Sequence, residues 1–507
     1  MHDIGTLQPV NSTPVRTRYA PSPTGVPHIG NIRTAVFDYL LARHFGGQFI
    51  LRLEDTDRTR LVPDSIAKIS ESLRWLGLDY DEGPDVGGPY GPYVQSERIE
   101  HYRAAADRIL AQGDAYECWC SSERLDAVRA EQARLKQPPK YDRRCRAPEG
   151  QAEARGEAEA EMRGCVVRFK TPLAGEVTLH DAVYGDSTFD LATIDDFVML
   201  KSDGFPTYHL AYIVDDEMMK ITHVLRGNDW ISSAPRHLLI YRALGYEVPV
   251  IAHLPLIVGA DGSKLSKRHG ATSVFEYRDQ GFLPEAVFNF LGLMGWSLDD
   301  KTEIISRDEF IEHFTLDRVV KNPAIFNVEK LTWMNGMYIR EMPAERLTDI
   351  FVARLGADLP PSIARPIDRA VIAHVTPLIR ERVKLLSEVA PYCEFFLTDV
   401  LSYAREDLLG KRFAAAPDAA RGVIERAIEA LRALPGWTHD AIEAALRALG
   451  EEIHTEDAAV KSGDVFSLVR VAVTGSKVSP PLFESMEIVG RDRCLARLVA
   501  AADRLAS

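Results

Sequence analysis

A chain of 507 residues, 46% hydrophobic and 26% charged, is long enough for roughly three or more domains and has the balance of a soluble globular protein. It holds no run of about 18 apolar residues, so no membrane span is expected, and residues 1–13 lack the apolar core of a secretory signal and read as a disordered leader. A net charge of −14 excludes sequence-blind nucleic-acid binding, which needs broad positive fields, and leaves only a selective RNA partner held on local basic strips.

Residues 15–77 alternate strand and helix. A first strand ends in Arg18-Tyr-Ala-Pro-Ser-Pro-Thr-Gly25. A helix then starts at about His28, because Ile32, Ala35, Val36, Tyr39 and Leu40 recur at helical spacing until Gly46-Gly47. Gln48-Phe-Ile-Leu-Arg-Leu53 is a compact apolar strand ending in Glu54-Asp-Thr-Asp57, and 65–76 is an amphipathic helix closed by Gly77. This order predicts a doubly wound parallel sheet, whose functional side chains sit where strands end. Glu54 and Asp57 meet that rule; the plain alternative is a solvated acidic loop.

Residues 96–112 read as a helix. The segment that follows carries Cys118-Trp-Cys120, Tyr141-Asp-Arg-Arg-Cys145 and a basic excess at Arg124, Arg129, Arg134, Lys136, Lys140, Arg143, Arg144 and Arg146, the first strip an RNA could use. Residues 151–161, rich in Ala and Glu, read as a solvent-exposed insertion. Short strands return over 166–200, and Asp203-Gly204 is a hairpin signal. A buried strand at 221–225, a helix at 234–244 and a strand at 250–254 complete a second α/β half, followed by a glycine- and lysine-rich loop at 258–270. Beyond Phe282 helical patterns dominate, with runs at 367–388, 419–434 and 439–449. Pro377 is expected to kink or split the first of these, and 465–476 fits helix or strand.

Two features could serve phosphate chemistry. A helix starting at His28 presents free N–H groups to an anion, and Lys264 and Lys267 on a flexible loop can close over a triphosphate. The plain readings are turn chemistry and a solvated loop. Six cysteines in so long a chain are expected to be reduced, so a cluster among them is a metal site or nothing. Cys165, Cys393 and Cys494 stand alone and read as core thiols.

These residues carry a resemblance. Pro27-His-Ile-Gly-Asn31 resembles the HIGH signature of class I aminoacyl-tRNA synthetases, and Lys264-Leu-Ser-Lys-Arg268 resembles their KMSKS signature. Leu51-Arg-Leu-Glu-Asp-Thr-Asp-Arg58, Pro206-Thr-Tyr-His-Leu-Ala211, Thr222-His-Val-Leu-Arg-Gly227 and Arg470-Val-Ala-Val-Thr-Gly-Ser476 with Ser479-Pro-Pro-Leu482 are similar to segments of bacterial glutamyl-tRNA synthetases. The likeness runs from about Arg16 to the C-terminus and omits the leader and the Ala/Glu stretch. Three positions depart from the pattern: Asn31 replaces the second His of HIGH, Asn228 stands where an acid is usual, and Tyr212 occupies a place that is Asn in some relatives, so that contact is not carried over.

The resemblance implies a Rossmann-type doubly wound parallel sheet (first half 14–95, second half 206–262). An α+β insertion at 96–205 would split it and bind the tRNA acceptor end. The KMSKS loop and a stem-contact region would occupy 263–345, and an all-α anticodon-binding region 346–507. Catalytic roles fall to His28, Lys264 and Lys267. ATP binding falls to Pro21, Thr24, Gly25, His28, Gly30, Asn31, Trp230, Lys264, Ser266 and Lys267, with Mg²⁺ accompanying ATP. Glutamate would meet Arg18, Ala20, Ser22, Glu54, Tyr208 and Arg226: Glu54 takes the ammonium, and Arg226 with Arg18 takes the side-chain carboxylate. The plain reading of Arg226 is an ion pair with Asp229 or Glu54. Cys118, Cys120 and Cys145, with Tyr141 or another fourth ligand, match the structural zinc pattern of a subset of these enzymes. The implied protein is a cytoplasmic monomer that charges tRNA(Glu) and has no membrane partner. The rivals are a glutaminyl-tRNA synthetase and a non-catalytic tRNA-binding paralogue.

Overall fold

The computed structural model describes residues 14–266 and 273–506. The leader at 1–13 and Lys267 lie outside the described residues. Internal contacts divide the chain into two units. One reaches to Arg278 and resumes over Pro284–Val328; the other takes Asp279–Leu283 and runs on from Glu329.

The first unit rests on two strand–helix–strand passages. The strand Arg16–Tyr19 is buried throughout, as an interior parallel strand must be. It leads through the helix Ile29–His44 to the strand Gln48–Leu51, which pairs parallel to it with Arg16 opposite Gln48 and Tyr19 opposite Leu51. The return turn needs Gly47, where a Cβ would lie 2.0 Å from the Val15 carbonyl oxygen. The helix is buried almost all round, because it packs on these strands and also on the helices Pro284–Gly292 and Arg307–His313.

The second passage runs from the strand His223–Gly227 through the helix Ala234–Leu244 to the strand Val250–Leu254, again parallel, with His223 opposite Val250 and Gly227 opposite Leu254. The two passages join along their first strands: the Thr222 amide donates to the Arg16 carbonyl (3.0 Å) and the Arg16 amide to Thr222 Oγ1 (2.8 Å). Strand order therefore reverses direction between Arg16–Tyr19 and His223–Gly227. A crevice at the carboxyl ends of such a switch point is where doubly wound sheets bind ligands.

The segment between the passages forms its own antiparallel sheet from Ala115–Cys118, Val166–Phe169 and Val198–Leu200. It also sends the hairpin Glu176–Asp181/Gly185–Asp190 to the edge of the main sheet, where Asp181 pairs parallel with Ile251. Residues 151–161 are mostly exposed, as expected, but they are not an irregular excursion. All but Glu161, its C-cap, belong to the helix Pro148–Ala160, whose Ala154 and Ala158 are fully buried, Ala154 among Tyr116, Cys118, Tyr141 and Cys145. The Ala/Glu composition hid a narrow core face four residues in period. Asp203-Gly204 does form a tight turn, but only a single bridge, Leu200 to Pro206, follows before the helix Tyr208–Met218.

The second unit is helical. Ala420, Val423, Ile424, Ala427 and Leu431 line one face of Pro417–Arg432, which packs on Arg491–Ala506 through Cys494, Leu498, Ala501 and Leu505. The helix Arg369–Ile379 contains Pro377 and ends two residues past it, and an α-helix resumes at Val389–Leu397, so the expected run is split, although the break falls after the proline. The ambiguous tail segment is the helix Ser462–Thr474. No helix among the described residues is long and apolar enough to cross a membrane.

Candidate active site

A cavity of about 640 Å³ opens at the switch point. Arg18, Ala20, Ser22, Glu54, Tyr208 and Arg226 all line it, as do Pro21, Thr24, Asn31 and Trp230. Gly25, His28, Gly30, Lys264 and Ser266 are not among its lining residues. Asp57 is at the cavity wall but exposed, its carboxylate accepting from Thr59 Oγ1 (2.7 Å).

One side of the cavity is built on buried charge. Arg18 Nε donates to both oxygens of Asp216 (3.1 and 3.2 Å). Arg52, fully buried, donates from Nη1 to Asp216 (2.6 Å) and from Nη2 to Glu54 (3.2 Å). Asp215 accepts from Arg98 Nε (2.6 Å), Gln95 Nε2 (2.9 Å) and Tyr102 Oη (2.9 Å). This pairing offsets the cost of taking these charges out of water. Burial pushes the Glu54 carboxyl up to about 7, with the Arg52 and Arg18 guanidiniums opposing the rise. Sequence reasoning missed Arg52, Asp215 and Asp216. Their signal was present: each is a charge inside an otherwise apolar strand or helix run. Asp38, on the helix Ile29–His44, was missed too. It lines the cavity with both carboxylate oxygens unpartnered, and burial pushes its pKa well up.

Arg226 is held differently. It is 6% exposed, and no carboxylate among the described residues pairs with it. Asp229 instead meets Lys264 Nζ (3.3 Å), and Glu54 meets Arg52. Arg226 Nε donates to His253 Nε2 (3.0 Å), Nη2 lies 3.3 Å from His237 Nδ1, and Nη1 is buried without a partner. The plain reading of Arg226 as half of an ion pair does not hold among the described residues, and this cation, with one donor unpartnered, is among the residues lining the cavity. Tyr208 stacks at a tilt on Trp230, ring centroids 4.3 Å apart, and closes the adjoining wall.

His28 caps the helix Ile29–His44, its Nδ1 accepting from the Gly30 amide (3.0 Å). That bond places the ring proton on Nε2, free to donate to an anionic oxygen. Burial and the Lys264 charge hold the imidazole below its ordinary pKa. A Cβ at position 30 would press on His28 Nδ1 at 3.2 Å, so glycine there permits the cap. The first turn holds no acid that would repel phosphate. His28 also bridges Ser273, the residue that resumes the chain after the lysine loop. Lys264 is mostly exposed, and its pair with Asp229 is of the weak, solvent-screened kind.

A second cluster lies in the inserted segment. The sulfurs of Cys118, Cys120 and Cys145 lie within 4.8 Å of one another, with Cys120 to Cys145 at 3.6 Å. Tyr141 Oη is 3.3 Å from Cys118 Sγ and 3.6 Å from Cys120 Sγ, and accepts from the Cys145 amide (3.0 Å). A tetrahedral metal with bonds of about 2.3 Å to sulfur needs sulfurs about 3.8 Å apart, so the residues fit a thiolate-bound metal. The Arg168 guanidinium, 4.0 Å over the Tyr141 ring, adds positive charge that favours thiolates. The basic strip around this cluster is largely committed inside the protein: Arg124 pairs with Asp142, Arg144 with Glu157, and Arg143 and Arg146 with Asp196.

Residues 14–333 match the catalytic domain of the class I tRNA synthetases (E and Q), and residues 344–502 match an anticodon binding domain. A glutamate–tRNA ligase of Dehalococcoides mccartyi is 51% identical over 97% of this chain and 98% of its own. One from Moorella thermoacetica is 45% identical over 96% and 98%. The crystal structure of a glutamate tRNA ligase from Elizabethkingia meningosepticum, in complex with its amino acid, is 34% identical and superposes with a TM-score of 0.85 over 97% of this chain and all of that one. A switch-point cavity walled by buried charge, a histidine-capped helix and kinship over nearly the full length lead to one conclusion: this chain belongs to the class I tRNA synthetases of the glutamate and glutamine group.

Proposed function

We propose that the chain is a glutamate–tRNA ligase, which activates glutamate with ATP to glutamyl-adenylate and passes the glutamyl group to the 3′-terminal adenosine of tRNA(Glu). The observation that carries this reading is the pairing, in one cavity, of Glu54 with the un-neutralised Arg226. Glutamate brings an ammonium and a side-chain carboxylate. Glu54 takes the first, and Arg226 with Arg18 takes the second through charge-assisted bonds. Ser22 and Tyr208 add hydroxyl donors, and Ala20 lies beside the amino acid. Glutamine would turn an amide NH₂ against a guanidinium that can only donate, which disfavours the glutaminyl alternative.

An α-carboxylate oxygen of glutamate attacks the α-phosphorus of ATP, the bond to the bridging oxygen breaks, and pyrophosphate leaves. His28, Lys264 and Lys267 stabilise charge on the phosphates. Pro21, Thr24, Gly25, Gly30, Asn31, Trp230 and Ser266 complete the nucleotide site, and Mg²⁺ enters with ATP, held mainly by phosphate oxygens. A hydroxyl of the terminal ribose then attacks the acyl carbon, and AMP leaves. Zinc held by Cys118, Cys120 and Cys145, with Tyr141 as fourth ligand, shapes the insertion at 96–205 that takes the acceptor end. The region at 263–345 meets the stem, and 346–507 reads the anticodon. The working form is a cytoplasmic monomer.

ATP–pyrophosphate exchange tests the proposal. Exchange is expected with glutamate, only after tRNA is added, and not with glutamine. Exchange driven by glutamine, or none with any amino acid in the presence of tRNA, would refute it.

A further inference from the structure

The grip on Arg226 has a specific chemistry. A guanidinium has donors and no acceptor, so each ring nitrogen facing it must offer a lone pair. His253 Nε2, 3.0 Å from Arg226 Nε, is therefore unprotonated, and the His253 proton sits on Nδ1. That nitrogen lies 2.5 Å from Asp181 Oδ2, an acceptor, which completes the assignment. Asp181 is itself fixed: its Oδ1 accepts from the amides of Val183 (2.9 Å) and Tyr184 (2.7 Å), and its Oδ2 from the His253 amide (3.1 Å). Both His253 and Asp181 side chains are fully buried. The second chain works alike. His237 Nδ1 faces Arg226 Nη2 (3.3 Å), so the His237 proton sits on Nε2 and is donated to His209 Nδ1 (2.9 Å).

We propose that Asp181–His253 and His209–His237 are positioning residues that clamp Arg226 with neutral acceptors, leaving its whole charge and its free Nη1 for the side-chain carboxylate of the amino acid. The clamp rests on the reading that Arg226 meets that carboxylate. A carboxylate in direct contact would hold the guanidinium equally well but would neutralise it, and the site would lose its preference for an anion over an amide. One imidazole between Asp181 and Arg226 separates orientation from neutralisation. The inserted hairpin that carries Asp181 thus bears on amino-acid choice, although Asp181 is not among the residues lining the cavity.

Asp181→Asn tests the clamp. The amide oxygen keeps the Val183 and Tyr184 bonds, while the NH₂ loses the bond from the His253 backbone amide and faces His253 Nδ1. The ring must take the other tautomer, with Nε2–H against Arg226. The measurement is tRNA-dependent charging with glutamate and with glutamine. The expected result is a KM for glutamate raised about 10- to 100-fold, kcat at saturation within a few-fold, KM for ATP unchanged, and the glutamate-to-glutamine ratio of kcat/KM falling in step with the rise in KM. His253→Gln, which retains an acceptor, is expected to preserve most of the ratio, whereas His253→Leu loses it. A second measurement needs no variant: ¹⁵N shifts of the wild-type histidines should report His253 with Nδ1 protonated and Nε2 bare. A ratio unchanged in folded Asp181→Asn and His253→Leu, or the opposite tautomer in the wild type, overturns the clamp. Arg226→Ala separates the two ideas. If it collapses the ratio while the clamp variants do not, only the clamp is wrong; if it leaves the ratio intact, the assignment of Arg226 to the side-chain carboxylate fails, and the clamp with it.

Discussion

Glu54 sits between two opposing demands. Burial raises its carboxyl to about 7, from an ordinary value near 4.5, so the folded protein favours the protonated form. By linkage, this group contributes stability fully below its unfolded pKa and loses it as pH rises through 4.5 to 7. Its proposed task runs the other way, because only the ionised form holds an ammonium. The KM for glutamate is therefore expected to rise about tenfold per pH unit below 7, as protonated Glu54 accumulates in the free enzyme. Glu54→Gln should give a KM that is high and flat across that range, and a pH profile unaltered by the substitution would contradict the assignment. At this scale the sequence was informative where chemistry is local. Glu54 was legible because it follows the end of an apolar strand, whereas Arg18 and Arg226, both inside strands, were picked out only by the family resemblance. The partners that define their state were not. His237 and His253 lie 11 and 27 residues from Arg226, Asp216 lies 198 from Arg18, and only the strand order brings them together.

Among the elements, legibility followed the strength of the local signal. The helix Ala234–Leu244 and the strand Val250–Leu254 stand at the expected residues, because glycine or polar punctuation bounds an apolar run. The helix Pro148–Ala160 escaped because two buried alanines among glutamates do not register as a hydrophobic face. That helix packs on the cysteine cluster, so metal and fold should be coupled there. Protein purified without chelator is expected to carry about one zinc per chain. Cys145→Ser should lose most of that zinc and melt several degrees lower, while retaining the helical signal of the second unit. Full zinc content in Cys145→Ser, or none in the wild type, would remove the metal from the account.

Taken whole, the chain reconciles a net charge of −14 with an RNA substrate by committing its charge locally. The most basic stretch is largely paired with its own acids, and buried aspartates balance the arginines under the cavity. Long-range attraction between protein and tRNA is then weak, and selectivity must come from fitted contacts. The doubly wound sheet was foreseeable from alternating strand and helix patterns. The hairpin that the insertion lends to that sheet was not, since no local pattern records which edge a strand will join. In the proposed reading, these levels together build a site that selects an amino acid by its anionic side chain and passes it to a tRNA. The direct measurement is to charge separately purified tRNAs with labelled glutamate or labelled glutamine and to identify the esterified product. The account predicts labelled glutamate on tRNA(Glu), with glutamine used at least about 10⁴-fold less efficiently; glutamine on tRNA, or no acylation of any tRNA, would contradict it.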